Sequence, residues 1–358
     1  MRTRRLLKAL AFALLALLAA EGLCALTESP SKYRLSPSTG FELVPGWRGG
    51  GADHPETINA AGLRGAELAP RQPGVLRILC MGESTTWGHK VGDDQTWPYA
   101  LEQHLRAAGA SVEVLNGGVS GWGLEQILRA LQDGLLRRLQ PDVVLVFAGW
   151  NAPRLEANPQ VARFRAALAR EHEGGLLARS ALARRLRDWS EEPAEGQGRL
   201  RREFAQLAAE AFPELAPELA TACEDHGARL AFIRFPALAQ RELPQGPALR
   251  AAWEELLAAR GEPDADVATL AADARALHAA VLAAVEQGAQ AAGAPLIDLA
   301  ARLPDTLPAD RDAADTQWTA WFRDALHFTP AGNEAVGHAV AVWLAGSGWL
   351  AAPAADAR

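Results

Sequence analysis

The 358-residue chain has only three cysteines, Cys24, Cys80 and Cys223. Three is too few for a disulfide framework, and their spacing fits no zinc-ligand pattern. Cys80 lies in an apolar strand-like run and Cys223 in a helical one. A Cys80–Cys223 bridge is open in an oxidising compartment, but two buried thiols are the simpler expectation. Outside the N-terminus, acidic residues outnumber basic ones. The formal charge is −7; the leader through Leu26 holds Arg2, Arg4, Arg5 and Lys8 against Glu21, a net +3, which leaves the body at −10. A body that acidic is unsuited to tracking a phosphate backbone, so no nucleic acid partner is expected. G-x-S-x-G is missing, which leaves an α/β-hydrolase elbow unsupported. H-E-x-x-H, the P-loop and G-x-G-x-x-G are missing too. Neither a metal nor a cofactor is expected.

Long apolar runs are also missing, except at the start. Basic residues up to Lys8 precede an apolar stretch from Ala9 to Ala20; Glu21 interrupts it and Gly22 to Leu26 continues it. This core is short, closer to a signal-peptide h-region than to a full span. Ala20-Glu21-Gly22 places small residues at −3 and −1 of a cleavage site. Cys24 has the place of a lipoprotein cysteine, but Leu23 before it is large for that motif. Residues 1–26 therefore read as a cleaved signal or a retained membrane anchor. Under either reading the positive flank stays cytoplasmic and the body is exported, to a periplasmic or extracellular face.

What is present is a globular composition, 49% hydrophobic and 22% charged. Residues 27–70, rich in Pro, Gly and Ser, read as a tether followed by irregular structure with short strands. Val75–Met81 is a near-continuous apolar run that stops at Gly82, as a buried parallel strand would. Further strands are expected at Val112–Leu115, Asp142–Ala148, Leu230–Phe235 and Leu296–Leu299. Helical spacing fills Trp97–Ala108, Leu124–Leu139, Glu203–His226, Asp266–Ala292 and Ala331–Leu344. Residues 152–204 carry eleven arginines and read, with 237–265, as helical insertions in a domain spanning 71–348; 349–358 is a tail. Five strands, each followed by helical sequence, indicate a doubly wound α/β sheet. Such sheets bind ligands at the carboxyl ends of their strands.

Four short blocks fall at those ends. Gly82-Glu83-Ser84-Thr85-Thr86 follows the first strand, where a serine hydroxyl would stand at the N-terminus of a helix that favours negative charge. In Asn116-Gly117-Gly118-Val119-Ser120-Gly121, the last glycine lets a backbone N–H approach an oxyanion unobstructed. In Gly149-Trp150-Asn151, the Asn151 amide adds a third donor; one such donor is typically worth about 2.7–4 kcal/mol in a transition state. In Asp324-Ala325-Leu326-His327, the two side chains three apart can share an edge, with His327 as base and Asp324 fixing its tautomer. Read singly, these are an N-cap, a turn glycine, an Asx-turn and a surface acid beside a capping histidine. Read together, they are the complete set for acyl transfer.

The ordered blocks resemble the SGNH (GDSL-type) serine hydrolases of the exported bacterial type, over roughly Asn59 to Leu344. The resemblance implies a flavodoxin-like three-layer α/β sandwich with a five-stranded parallel sheet in the order 2-1-3-4-5. It implies Ser84 as nucleophile, His327 as base, Asp324 as its partner, and an oxyanion hole from Ser84, Gly121 and Asn151, without a cofactor. Asn59-Ala60-Ala61-Gly62-Leu63-Arg64-Gly65 and Asp94-Gln95-Thr96-Trp97-Pro98 are similar to lead-in segments of such relatives. Two positions depart: Glu83 and Ala152 stand where Asp is usual. The first should affect local hydrogen bonding; the second removes a carboxylate that would organise the oxyanion loop.

There are eleven tryptophans against two tyrosines. Trp87, Trp122, Trp150, Trp318 and Trp321 each lie within a few residues of a block. Either they pack in the core, or they line the cleft and stack on sugar rings. The expectation is an exported esterase acting on carboxylic esters, O-acetyl groups on carbohydrate among them. An O-acyltransferase of envelope polysaccharide and an inactive glycan-binding domain are the alternatives. The expected partners are a small-molecule or glycan ester and, through an uncleaved leader, the membrane.

Overall fold

The first core strand, expected over Val75–Met81, runs over Leu76–Gly82 and is buried at all seven positions, as a strand covered on both faces must be. In the computed structural model, residues 2–27, 31–173, 180–182, 197–240 and 266–350 are described, with the single positions 251 and 254. Helix α1 (Arg2–Thr27) comes first. Two antiparallel hairpins follow, β1 (Tyr33–Ser36) with β2 (Gly40–Leu43) and β3 (Arg48–Gly51) with β4 (His54–Thr57). Strands and helices then alternate. Their order is β5 (Leu76–Gly82), α2 (Ser84–Trp87), α3 (Trp97–Ala107), β6 (Val112–Gly118), α4 (Leu124–Ala130), β7 (Val143–Phe147), α5 (Pro159–Glu173), α6 (Gln197–Glu224), β8 (Arg229–Arg234), α7 (Val267–Ala291), β9 (Leu296–Asp298), α8 (Arg311–Ala320) and α9 (Pro330–Ser347).

The main sheet is parallel throughout in the order β6-β5-β7-β8-β9, which is 2-1-3-4-5 counted from its first strand. Gly82 pairs with Gly118 on one side and Phe147 on the other, so three strands end level. That level edge carries the first three blocks. One helical layer is built by α3 and α9, the other by α6 and α7. Gly337 lets α9 settle on α3: a Cβ there would lie 2.8 Å from Leu101 N and 2.9 Å from Trp97 O. Each fully buried Val, Leu, Ile, Phe or Met side chain contributes about 1.5–3 kcal/mol, and β5, β7 and β8 supply most of the sheet's share of them.

Several boundaries differ from the sequence expectation. Strand β6 runs on through Gly118, because its residues 116–118 pair with Cys80, Met81 and Gly82 of β5; Arg64 N adds an isolated bridge to Asn116 O on its other edge. The helix expected over Leu124–Leu139 breaks after Ala130; Gly134 sits at φ +106°, a conformation open to glycine, and helical geometry resumes at Leu136. Helix α6 starts at Gln197, ahead of Glu203, and accommodates Pro213 and Pro217. Within the segment expected as a tether followed by short strands, residues 33–57 form the two hairpins and pack on the sheet domain. Phe41 and Leu43 enter the core, Trp122 Nε1 donates to Phe41 O at 2.9 Å, and Gln126 Nε2 donates to Thr39 O at 2.7 Å. Most of the insertion expected at 237–265, residues 174–179 and 183–196 of the one expected at 152–204, and the tail from 351 lie outside the described residues.

The leader is one continuous 26-residue helix with Leu10, Phe12, Leu14, Leu15, Leu17, Leu18, Leu23 and Leu26 exposed. Its Glu21 carboxylate accepts from Ser180 Oγ (2.6 Å), Ala181 N (2.7 Å) and Leu182 N (3.0 Å). By length and composition α7 could also cross a membrane, yet it packs along α6 and contributes Val281 and Val285 to the core. Cys80 and Cys223 are free, buried thiols. Burial pushes Cys223 up to about 12 and Cys80 well above the ordinary thiol value.

Candidate active site

The chain turns from β5 into α2 at Gly82, Glu83 and Ser84. Glycine is required at 82 by close approach: a Cβ would fall 2.1 Å from Thr86 Oγ1 and 2.5 Å from Phe147 O. Helix α2 is a single turn, closed by Gly88 in the left-handed region at φ +86°. A helix that short has no macrodipole to speak of, so the charge-stabilising helix end expected at Ser84 reduces to individual N–H groups. The turn is pinned from outside. Asn116 Nδ2 donates to Thr86 O at 2.9 Å. The Arg64 guanidinium donates to Trp87 O, to Gly88 O (2.6 Å), to Val91 O (2.5 Å) and to Asp93 (2.8 Å). Thus the Asn59–Gly65 segment, which sequence marked only by resemblance, acts as a clamp on the serine turn.

Asp324 and His327 occupy a tight loop between α8 and α9. Phe322 and Phe328 bridge its neck, and Arg323 N donates to His327 O at 2.8 Å. Asp324 Oδ1 accepts from Leu326 N (3.0 Å) and His327 N (2.9 Å). His327 Nδ1 lies 2.8 Å from Asp324 Oδ2, and His327 Nε2 lies 2.7 Å from Ser84 Oγ. A carboxylate can only accept, so Nδ1 carries the proton and the Nε2 lone pair faces the serine. Burial pushes Asp324 up, but His327, by hydrogen bond and by charge, together with the two N–H groups outweighs it and brings it to about 2. Asp324 is therefore ionised at any ordinary pH.

The expected oxyanion donors lie on neighbouring loops. Gly121 is in the left-handed region at φ +89°, which favours glycine. Its carbonyl accepts from Asn158 Nδ2 at 2.8 Å. Asn151 Nδ2 donates to Trp122 O at 3.0 Å; an amide has two N–H bonds, so the second stays available to a substrate oxygen.

Three residues here have roles that the sequence did not show. Asn158 holds the Gly121 loop. His89 places its ring 4.6 Å from that of His327; burial, then the neighbouring imidazole, lower it to about 4, so it is neutral at pH 7. Glu83 was read as a local hydrogen-bonding change, but its carboxylate is buried and accepts from Gly149 N, Trp150 N and Asn151 N. Burial raises it to about 7 against those three donors. Their active-site roles have no spacing signature: Glu83 and His89 meet backbone atoms or a ring far away in sequence, and Asn158, although it also caps the start of α5, reaches Gly121 O and Gln126 across the fold.

The tryptophan-lined cleft needs correcting. Trp87 and Trp318 are 0% exposed, Trp122 5% and Trp321 7%. Trp87 packs under Lys32 and Arg64, at 4.3 and 4.6 Å. Trp318 packs on Trp321 and Phe322. Only Trp150 keeps partial exposure, its ring stacked on buried His278 at 5.6 Å. Nearness in sequence to a block does not determine which way an indole points.

The family model of the GDSL-like lipase/acylhydrolase family matches residues 80–335. The chain belongs to this family. Membership makes this GDSL-type protein a hydrolase of the esterase and acylhydrolase class. Among solved structures, it is similar to the lipase/acylhydrolase from Enterococcus faecalis, at 17% identity over 76% of this chain and 97% of that one, with a TM-score of 0.40. It is similar to the psychrotrophic esterase EstA from Pseudoalteromonas sp., at 13% identity over 76% and 98% of the two chains, TM-score 0.39. It is also similar to a GDSL-like lipase from Bacteroides thetaiotaomicron, at 14% identity over 78% and 93%, TM-score 0.35. No curated protein matches the chain.

Proposed function

We propose that this GDSL-family protein is a serine esterase working outside the cytoplasm, and that it cleaves carboxylic esters through an acyl-enzyme on Ser84. The observation that carries this is the unbroken line of hydrogen bonds from Ser84 Oγ through His327 to Asp324, at 2.7 and 2.8 Å. His327 takes the Ser84 proton as Oγ attacks the ester carbonyl. Asp324 stays ionised, fixes the tautomer and supports the imidazolium. The Ser84 and Gly121 N–H groups and the second Asn151 amide proton receive the developing oxyanion. His327 then protonates the leaving alcohol, and water repeats the sequence in reverse roles. Glycan O-acetyl groups are the proposed substrate class, with Trp150 as the remaining stacking surface beside the site.

Export rests on the basic residues in the first turns of α1, ahead of its apolar stretch. The Glu21 contacts with residues 180–182 favour retention of the helix as an anchor, since cleavage near Gly22 would remove their partner. The test is a panel of p-nitrophenyl esters of increasing chain length together with acetylated polysaccharides, on wild type and Ser84→Ala. Acetate release that depends on Ser84 is the expected result; activity confined to long-chain lipid esters would overturn the substrate class. Transfer of acetyl to an added glycan in place of its release would assign an acyltransferase.

A further inference from the structure

We propose that Glu83 is a positioning residue for acyl transfer: its carboxylate clamps the 149–151 loop so that the Asn151 amide stays aimed at the oxyanion. The proposal rests on the reading of Ser84 as nucleophile.

Glu83 immediately precedes the serine, and its side chain is buried, with the residue 1% exposed. Oε1 accepts from Gly149 N at 2.9 Å and Asn151 N at 3.1 Å, and Oε2 accepts from Trp150 N at 2.9 Å. Three consecutive backbone N–H groups thus converge on one carboxylate, an anion-binding concavity of main-chain dipoles filled by the protein's own side chain. Gly149 makes the turn feasible: it sits at φ +149°, and a Cβ there would lie 2.8 Å from Phe235 Cε1. From the far end of the loop, Asn151 Nδ2 reaches Trp122 O at 3.0 Å, next to Gly121. The residue beside the nucleophile, the loop, the amide donor and the Gly121 segment are therefore linked in series. Ala152 brings no carboxylate of its own to this loop. Without Glu83, three N–H groups at this buried turn lose their acceptor, and a loop that rotates to satisfy them carries Asn151 away with it.

The test uses Glu83→Gln, which keeps shape but offers one acceptor oxygen and an NH2 to three donors, and Glu83→Asp, which withdraws the carboxylate by one methylene. Each variant is checked for folding by circular dichroism and thermal melting. Turnover of p-nitrophenyl acetate and the affinity of phenylboronic acid, a tetrahedral mimic at serine, are then measured. Glu83→Gln is expected to lower kcat by about tenfold or more and to weaken the boronate by a similar factor, with KM within about threefold. Glu83→Asp is expected to lose about three- to tenfold in both. A purely structural glutamate would lower the folded fraction and leave the boronate affinity of the folded enzyme unchanged. Either folded variant with kcat and boronate affinity within about twofold of wild type overturns the proposal. Ser84→Ala, run alongside, separates the two claims: if it is inactive while Glu83→Gln is normal, only the positioning role fails; if it retains full activity, the nucleophile assignment fails and the proposal with it.

Discussion

Ser84 stands at the end of a strand buried at every position, pinned by groups from far along the chain: Arg64, Asn116 and, through Glu83, residues 149–151. His327 stands on a loop held largely by its own bonds, Asp324 to Leu326 and His327, Arg323 to His327 and Phe322 across to Phe328, with ties from afar at Leu238 N to Ala325 O, Arg323 to Lys90 O and the His89 ring. The nucleophile half of the site is thus built chiefly from distant groups, and the base half chiefly from bonds within its own turn. Damage to the two halves should look different. A broken base loop should cost activity and leave the fold intact, whereas a broken nucleophile turn should cost both.

The largest expected effect is on the base half. Asp324→Asn keeps the geometry but allows the wrong imidazole tautomer, and kcat is expected to fall by roughly 10⁴-fold. The melting temperature should change little at pH 7, since Asp324 is one-third exposed and its turn is otherwise intact. The wild-type acid limb of activity should not come from Asp324. Its folded pKa of about 2 lies below the ordinary 3.8, so the stability it contributes is present above that ordinary value and is lost only as pH falls towards 2. A steady-state pH profile alongside a thermal melt checks both points.

The next effect tests the nucleophile half. The Arg64 side chain is 1% exposed, against 24% for its partner Asp93. Arg64→Ala removes the donors to Trp87, Gly88 and Val91 and leaves Asp93 without its partner. A loss of about 3–5 kcal/mol is expected from a buried pair broken on one side, read as a lower denaturation midpoint together with lower kcat. Arg64→Lys should not rescue it, because a point charge cannot serve four acceptors in a fork. A stable but inactive Arg64→Ala would show that the two halves are held alike.

The smallest effect concerns His278, which sits behind Trp150 and bonds Phe235 O at 2.9 Å. Burial lowers its pKa from 6.5 to about 4. Between those values the unfolded chain binds the extra proton, so stability present above about 6.5 is lost as pH falls towards 4. His278→Gln should flatten that slope in a series of denaturant melts from pH 4 to 7. An unchanged slope would place the acid sensitivity elsewhere in the molecule.

The same contrast explains what could be read from the sequence. The strand positions were legible because buried parallel strands make continuous apolar runs, as Val143–Phe147 does; the sheet order followed only from the family resemblance. Asp324 and His327 were legible because a three-residue spacing encodes a local turn. Glu83 was not, because its partners are backbone N–H groups 66 to 68 residues away, and backbone has no sequence signature. The hairpins of residues 33–57 were blurred by their short strands and glycines. The sequence left the tryptophans open between core and cleft, and the structure decides residue by residue: Trp122 and Trp318 face the core, where Phe41 O and Leu238 O meet their indole N–H groups.

The most direct measurement of the central claim is intact-protein mass spectrometry after treatment with a fluorophosphonate. Wild type should gain one phosphonyl adduct, mapped by peptide digestion to Ser84. Asp324→Asn should gain it far more slowly, and Ser84→Ala should gain none. An unlabelled wild type, or equal labelling of wild type and Ser84→Ala, would contradict the assignment of Ser84 as the nucleophile of a His327–Asp324 relay.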